Sequence, residues 1–264
     1  MINNNNSILS IQNLYSGYNR NFVVENINLD IHKGEFCALL GPNGSGKTTL
    51  LKCLCGLLPV FSGKFFSNGV DITNLNEKHR AEYISYIPQR YTDIIGVSVF
   101  EIVLMGYNSK LGFFESPSYW DKDFAKKVLD KMQILHLAGE DFSRLSEGQK
   151  QKVILSRALV QNAPIMLMDE PDSALDFPGK HQILSKIRSV IHSNDKAGLV
   201  TLHDPNLAIS HCDRLILLDE GQVRAEIDMA SVSKSELRQK LSLIYEGIKV
   251  STLSGKFTVQ MKAY

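Results

Sequence analysis

The sequence of 264 residues predicts an α/β fold with a mixed, mainly parallel sheet and a helical insertion. Continuous apolar runs are typical of strands buried on both faces. They are "FCALL" (36–40), "IMLM" (165–168), "LVTL" (199–202) and "LILL" (215–218). Helical patterns separate these runs, and alternating strands and helices favour a parallel sheet. From about residue 90 to 160 the patterns are mostly helical, which indicates the insertion.

The N-terminal third has the pattern of an antiparallel β-region followed by one helix. Ile27, Leu29 and Ile31 alternate with polar residues, which predicts a half-exposed antiparallel strand. Beyond the strand at 36–40 and a glycine loop, leucines between positions 50 and 58 recur at helical spacing until Pro59. The triplet "SNG" (67–69) predicts a turn between short strands.

The rest of the chain divides into three segments. "VFEIVLMG" (99–106) and "DKDFAKKVLDKMQI" (121–134) predict helices, with Asp121 as the cap of the second. Apolar positions between Ile183 and Ile191 mark an amphipathic helix, and the stretch from Ser235 predicts a helix and two short strands. We therefore assign 1–89 and 161–234 to a core with its β-subdomain, 90–160 to a helical subdomain and 235–264 to a C-terminal appendage.

The composition argues against several classes of function. Lys and Arg number 29 against 28 Asp and Glu, a balance that gives no electrostatic case for a nucleic-acid partner. The four cysteines lack zinc-type spacing, so we expect reduced, mostly buried thiols. The N-terminus does not resemble a signal peptide, and no apolar stretch approaches the roughly 20 residues of a membrane span. We expect any role at a membrane to depend on other chains.

A phosphate-binding loop is the clearest motif. "GPNGSGKT" (41–48) fits G-x-x-x-x-G-K-[ST] and stands between a predicted buried strand and a helix, as that loop requires. Its backbone N–H groups can surround phosphate oxygens, Lys47 can bridge the β- and γ-phosphates, and Thr48 can ligate Mg²⁺. A glycine-rich turn with a chance lysine is the disfavoured alternative. The expected nucleotide-binding positions are Gly41, Pro42, Asn43, Gly44, Ser45, Gly46, Lys47, Thr48 and Thr49.

Two acids follow the predicted strand in "IMLMDEP" (165–171). They emerge at the carboxyl end of the strand, where open α/β sheets bind ligands. Asp169 can therefore hold the Mg²⁺ shell, and Glu170 can polarise a water for attack on the γ-phosphate. Without the phosphate loop upstream, a simple acidic turn before Pro171 would explain the pattern equally well.

Three further residues are weaker candidates. Gln89 and His203 each follow a predicted strand, and both face the γ-phosphate if those strands flank the strand of the phosphate loop. A single glutamine or histidine is otherwise usually a surface or satisfied core residue. Tyr18, in "YSGY", either stacks on an adenine ring or packs as an ordinary aromatic residue.

In this order, the motifs resemble those of the ATP-binding-cassette (ABC) ATPases over nearly the whole chain. The phosphate loop matches Walker A, Gln89 the Q-loop, "LSEGQ" (145–149) the signature, "IMLMDEP" Walker B, "SALD" (173–176) the D-loop, and His203 the switch histidine. The resemblance implies a RecA-like P-loop NTPase that uses ATP and Mg²⁺, and a dimer with two ATP molecules at its interface. The complete set of motifs permits two equivalent sites, so we expect a homodimer, with a heterodimer as the alternative. It assigns catalysis to Lys47, Gln89, Glu170 and His203, Mg²⁺ to Thr48, Gln89 and Asp169, and the D-loop to Ser173, Ala174, Leu175 and Asp176.

The signature stretch "RLSEGQKQK" (144–152) offers a second phosphate site. Ser146 and Gln149 fit a capping box, so Ser146 is predicted to start a helix whose N-terminus favours negative charge. The resemblance implies that Ser146 and the Gly148 backbone meet the γ-phosphate of the partner's ATP. Glu147 departs from the common L-S-G-G-Q form, and a carboxylate repels phosphate. We hypothesise that its side chain points away from ATP.

Finer likenesses point to one group of ABC transporters. The stretches 99–118 and 201–223 resemble ATPase subunits of importers for iron-siderophores, haem, cobalamin and some molybdate systems. That resemblance implies two membrane permease subunits docking near Gln89–Tyr107, an indirectly coupled substrate-binding protein, and a place on the cytoplasmic face of the inner or plasma membrane. An exporter with separate membrane subunits and a regulatory ATPase without a membrane partner remain the alternatives. A DNA-repair ATPase is disfavoured because no heptads or zinc module interrupt the chain.

Overall fold

The computed structural model describes residues 7–19, 21–89, 94–112, 114–253 and 255–261. Its strands form two sheets and a hairpin. In the described ranges the strands are β1 (Ser7–Tyr18), β2 (Asn21–His32), β3 (Phe36–Leu40), β4 (Val60–Ser67), β5 (Val70–Asp71), β6 (Ile84–Ile87), β7 (Ile165–Asp169), β8 (Ala197–Thr201), β9 (Arg214–Asp219), β10 (Gln222–Asp228), β11 (Ile248–Leu253) and β12 (Lys256–Met261). The α-helices are α1 (Lys47–Leu54), α2 (Glu77–Arg80), α3 (Val99–Leu104), α4 (Tyr119–Lys131), α5 (Glu147–Gln161), α6 (Phe177–Ser193), α7 (Pro205–His211) and α8 (Lys234–Leu241).

The larger sheet has the strand order β10-β9-β3-β8-β7-β6. Its strands pair in parallel except β10, which is antiparallel to β9. Alternate residues of β3 enter opposite cores, with Phe36, Ala38 and Leu40 in one and Cys37 and Leu39 in the other. Because both faces of the strand are buried, its sequence is continuously apolar instead of alternating. The predicted α/β fold with a mainly parallel sheet is confirmed.

The smaller sheet is antiparallel and has the order β2-β1-β4-β5. Along Ile27–Ile31 the apolar residues are buried and the polar residues between them are exposed, so the predicted half-exposed strand is confirmed. The predicted turn also lies where expected, between β4 and β5. Asn68 and Gly69 occupy it with φ values of +48° and +80°, a conformation that these two residue types tolerate best.

The helical segment between β6 and β7 contains α3, α4 and α5. In each of these helices a serine caps the first turn and the side chain three residues later closes a capping box. In α4 the cap is Ser118, and the carboxylate of Asp121 accepts a hydrogen bond from the Ser118 backbone at 2.8 Å. The prediction that Asp121 is the cap is therefore wrong, because this acid fills the other half of the box. The predicted start of the segment at residue 90 lies outside the described residues.

Helix α1 ends at Leu54 and does not extend to Leu58 as the leucine spacing predicts. Gly56 has a φ of +82°, and Leu57 is 56% exposed. The buried Arg80 guanidinium donates a hydrogen bond to the Leu54 carbonyl and lies close against Gly56, where an added Cβ would be 2.8 Å from Arg80 Nε. A tertiary contact thus ends the helix where the local pattern continues.

The C-terminal stretch forms α8 and the antiparallel hairpin of β11 and β12, as predicted. The hairpin is attached to α7 by two hydrogen bonds between Asn206 and Val259, at 2.7 and 3.1 Å. Among the described residues, no helix has both the length and the apolar character required to cross a membrane.

Candidate active site

The phosphate loop joins β3 to α1 and has the close approaches that require glycine. A Cβ on Gly41 would lie 2.0 Å from the Leu218 carbonyl oxygen and 2.6 Å from Ser45 Oγ. Gly46 has a φ of +103°, and a Cβ there would lie 2.8 Å from the Val24 side chain. The loop is therefore fixed by packing against β2 and β9, and the first-turn N–H groups of α1 begin immediately after it.

Lys47 folds back over the loop from the first turn of α1. Its ammonium donates hydrogen bonds to the carbonyls of Gly41 and Pro42, each at 2.8 Å, and lies 3.4 Å from Ser45 Oγ. Burial lowers the pKa of Lys47, and the negative charges of Glu170 and Asp169 act in the opposite direction. A desolvated ammonium held by weak acceptors is well suited to exchange them for phosphate oxygens.

Asp169, the last residue of β7, is 1% exposed. Its Oδ1 accepts hydrogen bonds from Thr48 Oγ1 at 3.2 Å and from Thr201 Oγ1 at 2.7 Å. Thr201 Oγ1 also accepts a hydrogen bond from the Glu170 backbone N–H at 2.9 Å. These contacts connect the phosphate-loop helix to β7 and β8, and they bring Thr48 next to Asp169.

Glu170 lies between the two weaker candidates of the sequence. His203 Nε2 is 2.5 Å from Glu170 Oε1, and Gln89 Nε2 donates to Glu170 Oε2. Only one of the two preceding strands meets the condition that both flank β3. β8, before His203, is next to β3, whereas β6, before Gln89, lies at the sheet edge beyond β7. Gln89 nevertheless reaches Glu170 because Glu170 follows β7, the neighbour of β6.

Two residues of this site were missed by the sequence analysis. Thr201 is the only polar residue of the run "LVTL", and a hydroxyl within a buried strand is the signal that could have identified it. Tyr86, on β6, has its pKa raised by burial and then by the negative charge of Asp169. Its phenol therefore stays neutral beside that carboxylate. No local pattern marks Tyr86, because only the β6–β7 pairing brings it there.

An open cleft of about 190 Å³ lies over the phosphate loop. Its described lining comes from β2, the phosphate loop and the residues that follow β7 and β8. Tyr18 does not line the cleft and is 45% exposed, so its proposed stacking on adenine stays a prediction. None of Ser146–Gln149 lines it either. The lining residues are Val23, Asn43, Gly44, Gly46, Lys47, Thr48, Thr49, Glu170 and His203.

The N-terminus of α5 carries the second predicted phosphate site. Ser146 caps the helix, and Gln149 Oε1 accepts a hydrogen bond from the Ser146 backbone at 2.9 Å, which confirms the predicted capping box. The side chain of Glu147 is 62% exposed, and its Oε1 lies 3.0 Å from the ammonium of the buried Lys150 on the same helix. The carboxylate is thus directed along its own helix.

The D-loop lies against this helix end. Ser173 and Ala174 are exposed, while Asp176 caps α6 by accepting a hydrogen bond from the Gly179 N–H at 3.0 Å. A Cβ on Gly148 would lie 3.2 Å from Leu175 Cδ2, so the signature and the D-loop are in direct contact within one chain.

The candidate Mg²⁺ donors beside the phosphate loop are two side-chain oxygen atoms. Thr48 Oγ1 and Asp169 Oδ1 lie 3.2 Å apart and suit this hard cation. Among the described residues, no group of three or more histidine, cysteine or acidic side chains could hold a metal ion. A magnesium ion here would take its remaining ligands from water or phosphate oxygens. Gln89 donates a hydrogen bond to the neighbouring Glu170.

Comparison with known proteins gives one consistent picture. The family model described as ABC transporter matches residues 24–173. A Helicobacter pylori protein named as a probable iron chelatin transport ATP-binding protein is 33% identical over 90% of this chain and 93% of its own. A Haemophilus influenzae protein named molybdate import ATP-binding protein is 33% identical over 81% of this chain and 80% of its own.

Solved structures agree with the sequence relatives. A metal-chelate type ABC transporter in an inward-facing conformation superposes with a TM-score of 0.79 at 27% identity, covering 97% of this chain and 96% of that one. A dimeric cassette in a post-hydrolysis state, bound to ADP and phosphate, superposes with a TM-score of 0.75 at 26% identity, covering 85% and 100%.

Proposed function

The chain belongs to the ABC transporter family as an ATP-binding subunit, and on this premise we propose that it hydrolyses ATP to drive import of a metal chelate. The observation that carries the hydrolytic part is the convergence of Gln89 and His203 on Glu170 above the phosphate loop. An acid held at that position can accept a proton from a water that attacks the γ-phosphate.

We propose that ATP competes with Glu170 for the two nitrogen donors around it. Gln89 Nε2 and His203 Nε2 are groups that suit a γ-phosphate oxygen as well as a carboxylate. When they turn to the phosphate, Glu170 loses two hydrogen bonds and becomes the stronger proton acceptor. The same event would couple arrival of the substrate to activation of the base. His203 then stabilises charge that develops on the phosphoryl group.

The phosphate loop and Lys47 would hold the triphosphate in line with that water. Thr48 and Asp169 would hold Mg²⁺, which supplies charge neutralisation on the phosphate oxygens when it is bound. Thr201 would fix the positions of the Asp169 carboxylate and the Glu170 backbone through hydrogen bonds of 2.7 and 2.9 Å. The roles of these residues rest on their geometry around one cleft.

We further propose a homodimer with two ATP molecules between its chains. The signature residues Ser146–Gln149 lie outside their own chain's cleft, at an exposed helix N-terminus suited to an anion. A partner's phosphate loop would bring the γ-phosphate to Ser146 and the Gly148 backbone. The dimeric cassettes among similar structures support this arrangement.

The import direction and the cargo class are taken from the names of the relatives, which mention iron chelatin and molybdate. Two membrane permease subunits would dock near Gln89–Tyr107, of which residues 90–93 lie outside the described ranges. Ile95 is 80% exposed there, whereas Val99 is buried, so part of this stretch packs the subdomain. A substrate-binding protein would deliver the cargo to the permease subunits and would not contact this chain directly. The permease subunits would hold the chain on the cytoplasmic face of the membrane.

Co-purification and reconstitution test the transport assignment. Tagged protein extracted in mild detergent should bring integral membrane subunits with it, and these should be reconstituted with the chain in lipid vesicles. We expect ATP outside the vesicles to move a ferric chelate outward, because the nucleotide site then faces outward, and the Glu170→Gln variant to abolish this movement. Movement of the chelate into the vesicles would identify an exporter, and absence of membrane subunits would favour a regulatory ATPase.

A further inference from the structure

A small apolar pocket lies where α4, α5 and α6 meet, and no step of ATP hydrolysis uses it. Its volume is about 70 Å³. Its walls come from the end of α4, the second half of α5 and the second half of α6, and they are mainly apolar, with Ser189 as a polar exception. The apolar residues are Met132, Leu155, Leu159, Ile187 and Val190.

Two lysines also line this pocket. Lys131 and Lys186 line it from opposite helices. Burial lowers the pKa of Lys186, and the charge of nearby Lys152 lowers it further. Within the described part of the chain, no acidic side chain forms an ion pair with any of these three lysines. The pocket therefore combines an apolar interior with two lining lysines that have no acidic partner among the described residues.

The volume limits what can enter. A cavity of roughly 150 Å³ lined by leucine, isoleucine and phenylalanine takes up benzene, so a pocket of half that volume suits a short, branched carbon chain. Water is a poor occupant because the interior offers few hydrogen-bond partners. An anionic end group would gain from the two ammonium groups, since charge-assisted hydrogen bonds are stronger in partly buried surroundings.

We propose that this pocket binds a short-chain carboxylate, with its carbon chain among the apolar walls and its carboxylate between Lys131 and Lys186. The competing explanation is that the two lysine stems merely cover apolar surface, as long side chains often do. That explanation predicts no selectivity for an anion. The proposed binding itself does not depend on the nature of the reaction at the phosphate loop.

The position of the pocket gives the ligand a regulatory route. α5 begins at the signature and α6 begins directly after the D-loop, so both helices present their first turns to the proposed dimer interface. Leu155 follows Ser146 along α5 by about 13 Å at the helical rise per residue. A ligand that ties α5 to α6 at this distance would change ATP turnover without contacting ATP. This second step rests on the proposed function.

Calorimetric titration of the full chain with 4-methylpentanoate tests the binding step. We expect saturable binding in the millimolar range, as befits so small a ligand, and at least tenfold weaker binding of 4-methylpentanol and of acetate. The alcohol lacks the charge and acetate lacks the chain. Equal affinity for the acid and the alcohol would overturn the proposal, and so would absence of binding by the acid.

Variants locate the binding in this pocket. The double variant Lys131→Gln and Lys186→Gln should bind 4-methylpentanoate at least tenfold more weakly. Leu159→Phe should weaken its binding as much, because the larger side chain fills the pocket from its half-buried edge. Lys122→Gln, an exposed lysine on α4 that does not line the pocket, is the matched control and should bind normally. Undiminished binding by the double variant, with its thermal unfolding unchanged, would place the ligand elsewhere and refute the proposal.

The ATPase rate separates the two steps. If the carboxylate binds and changes turnover of the normal chain but not of the double variant, both the site and the regulatory route are supported. Binding with unchanged turnover retains the site and rejects the route. A chain that binds the acid but has no ATPase activity contradicts the proposed function and leaves the binding site established.

Discussion

Two helix N-termini in this molecule are predicted to bind phosphate, and they are built differently. α1 begins at Lys47 after Gly46, which has no side chain to occupy the first-turn N–H groups. α5 begins after Ser146, whose side chain accepts a hydrogen bond from the Gln149 N–H, and its first residue is the acid Glu147. No side chain caps the first-turn N–H groups of α1, and Lys47 adds an ammonium there. In α5 the Ser146 side chain accepts from one of these N–H groups, and Glu147 adds a carboxylate.

The difference indicates two distinct tasks. An uncapped N-terminus with a lysine inside a glycine loop favours strong and permanent binding of a polyphosphate. A capped N-terminus beside an acid gives a weaker attraction, which suits a contact that must form and break as ATP is bound and hydrolysed. The Glu147–Lys150 pair, at 3.0 Å, keeps this second site from being repulsive.

The largest expected effect lies on the α1 side. Replacing Glu170 with glutamine should lower ATP turnover at least about a hundredfold, because the proton acceptor is removed. ATP binding should persist and trap a dimer detectable by size-exclusion chromatography. Glu246→Gln, at an exposed position away from the cleft, is the matched control. Normal turnover in the Glu170→Gln chain would show that another residue is the base.

Lys47→Ala should weaken ATP binding about tenfold or more, because a charge-assisted contact to the phosphates is lost. Lys52→Ala, on the same helix but outside the cleft lining, should bind ATP normally. Fluorescent nucleotide titration measures both affinities. If the two variants bound ATP equally well, the open helix terminus would not be the main phosphate site.

Mixing two inactive variants tests whether the two termini belong to different chains. Lys47→Ala disables the phosphate loop, and Ser146→Arg disables the signature. A mixed dimer contains one intact pair of loop and signature if they meet across the interface, so mixing should restore activity several-fold above either variant alone. Activity that stays at the level of the separate variants would place both halves of the site in one chain.

Ser146→Ala isolates the contribution of the α5 cap. Loss of the capping hydrogen bond should lower the free energy of unfolding by about 1 kcal/mol and reduce turnover about tenfold. Ser143→Ala, in the 3-10 turn just before α5, is the control for a nearby hydroxyl. Denaturant unfolding and ATPase assays separate the two effects. An unchanged turnover with reduced stability would make the cap purely structural.

The smallest expected effect is that of Glu147→Gly. Its exposed carboxylate forms an ion pair with the ammonium of the buried Lys150, and solvent around the carboxylate limits the contribution of the pair to about 1 kcal/mol, so turnover should change less than about fivefold. Lys150→Met should lower turnover more, because the Glu147 carboxylate loses its ion pair and can repel the phosphate. The double variant Glu147→Gly and Lys150→Met should regain turnover, because it lacks that carboxylate. A hundredfold loss in Glu147→Gly would show instead that Glu147 takes part in the reaction.

Local patterns were sufficient where a residue's role depends on its neighbours in sequence. The phosphate loop, the capping box of Ser146 and the buried run of β3 were read from consecutive residues, because turn geometry, helix capping and strand burial are local properties. The end of α1 and the cap of α4 were misread for opposite reasons. Helix α1 ends early because Arg80, which is distant in sequence, donates a hydrogen bond to the Leu54 carbonyl. In α4 both Ser118 and Asp121 have side chains that can cap a helix, and only the backbone conformation shows that Ser118 is the N-cap.

The sequence by itself determined two helix starts that are predicted to bind phosphate, the acids at the end of β7 and the alternation that specifies a parallel sheet. Only the tertiary structure decided that Gln89 reaches Glu170 from the sheet edge, that Thr201 bridges Asp169 and the Glu170 backbone, and that Gly148 contacts Leu175. These contacts depend on strand order and helix packing. Both arise from the combined burial of apolar residues distant in sequence, which no short stretch encodes.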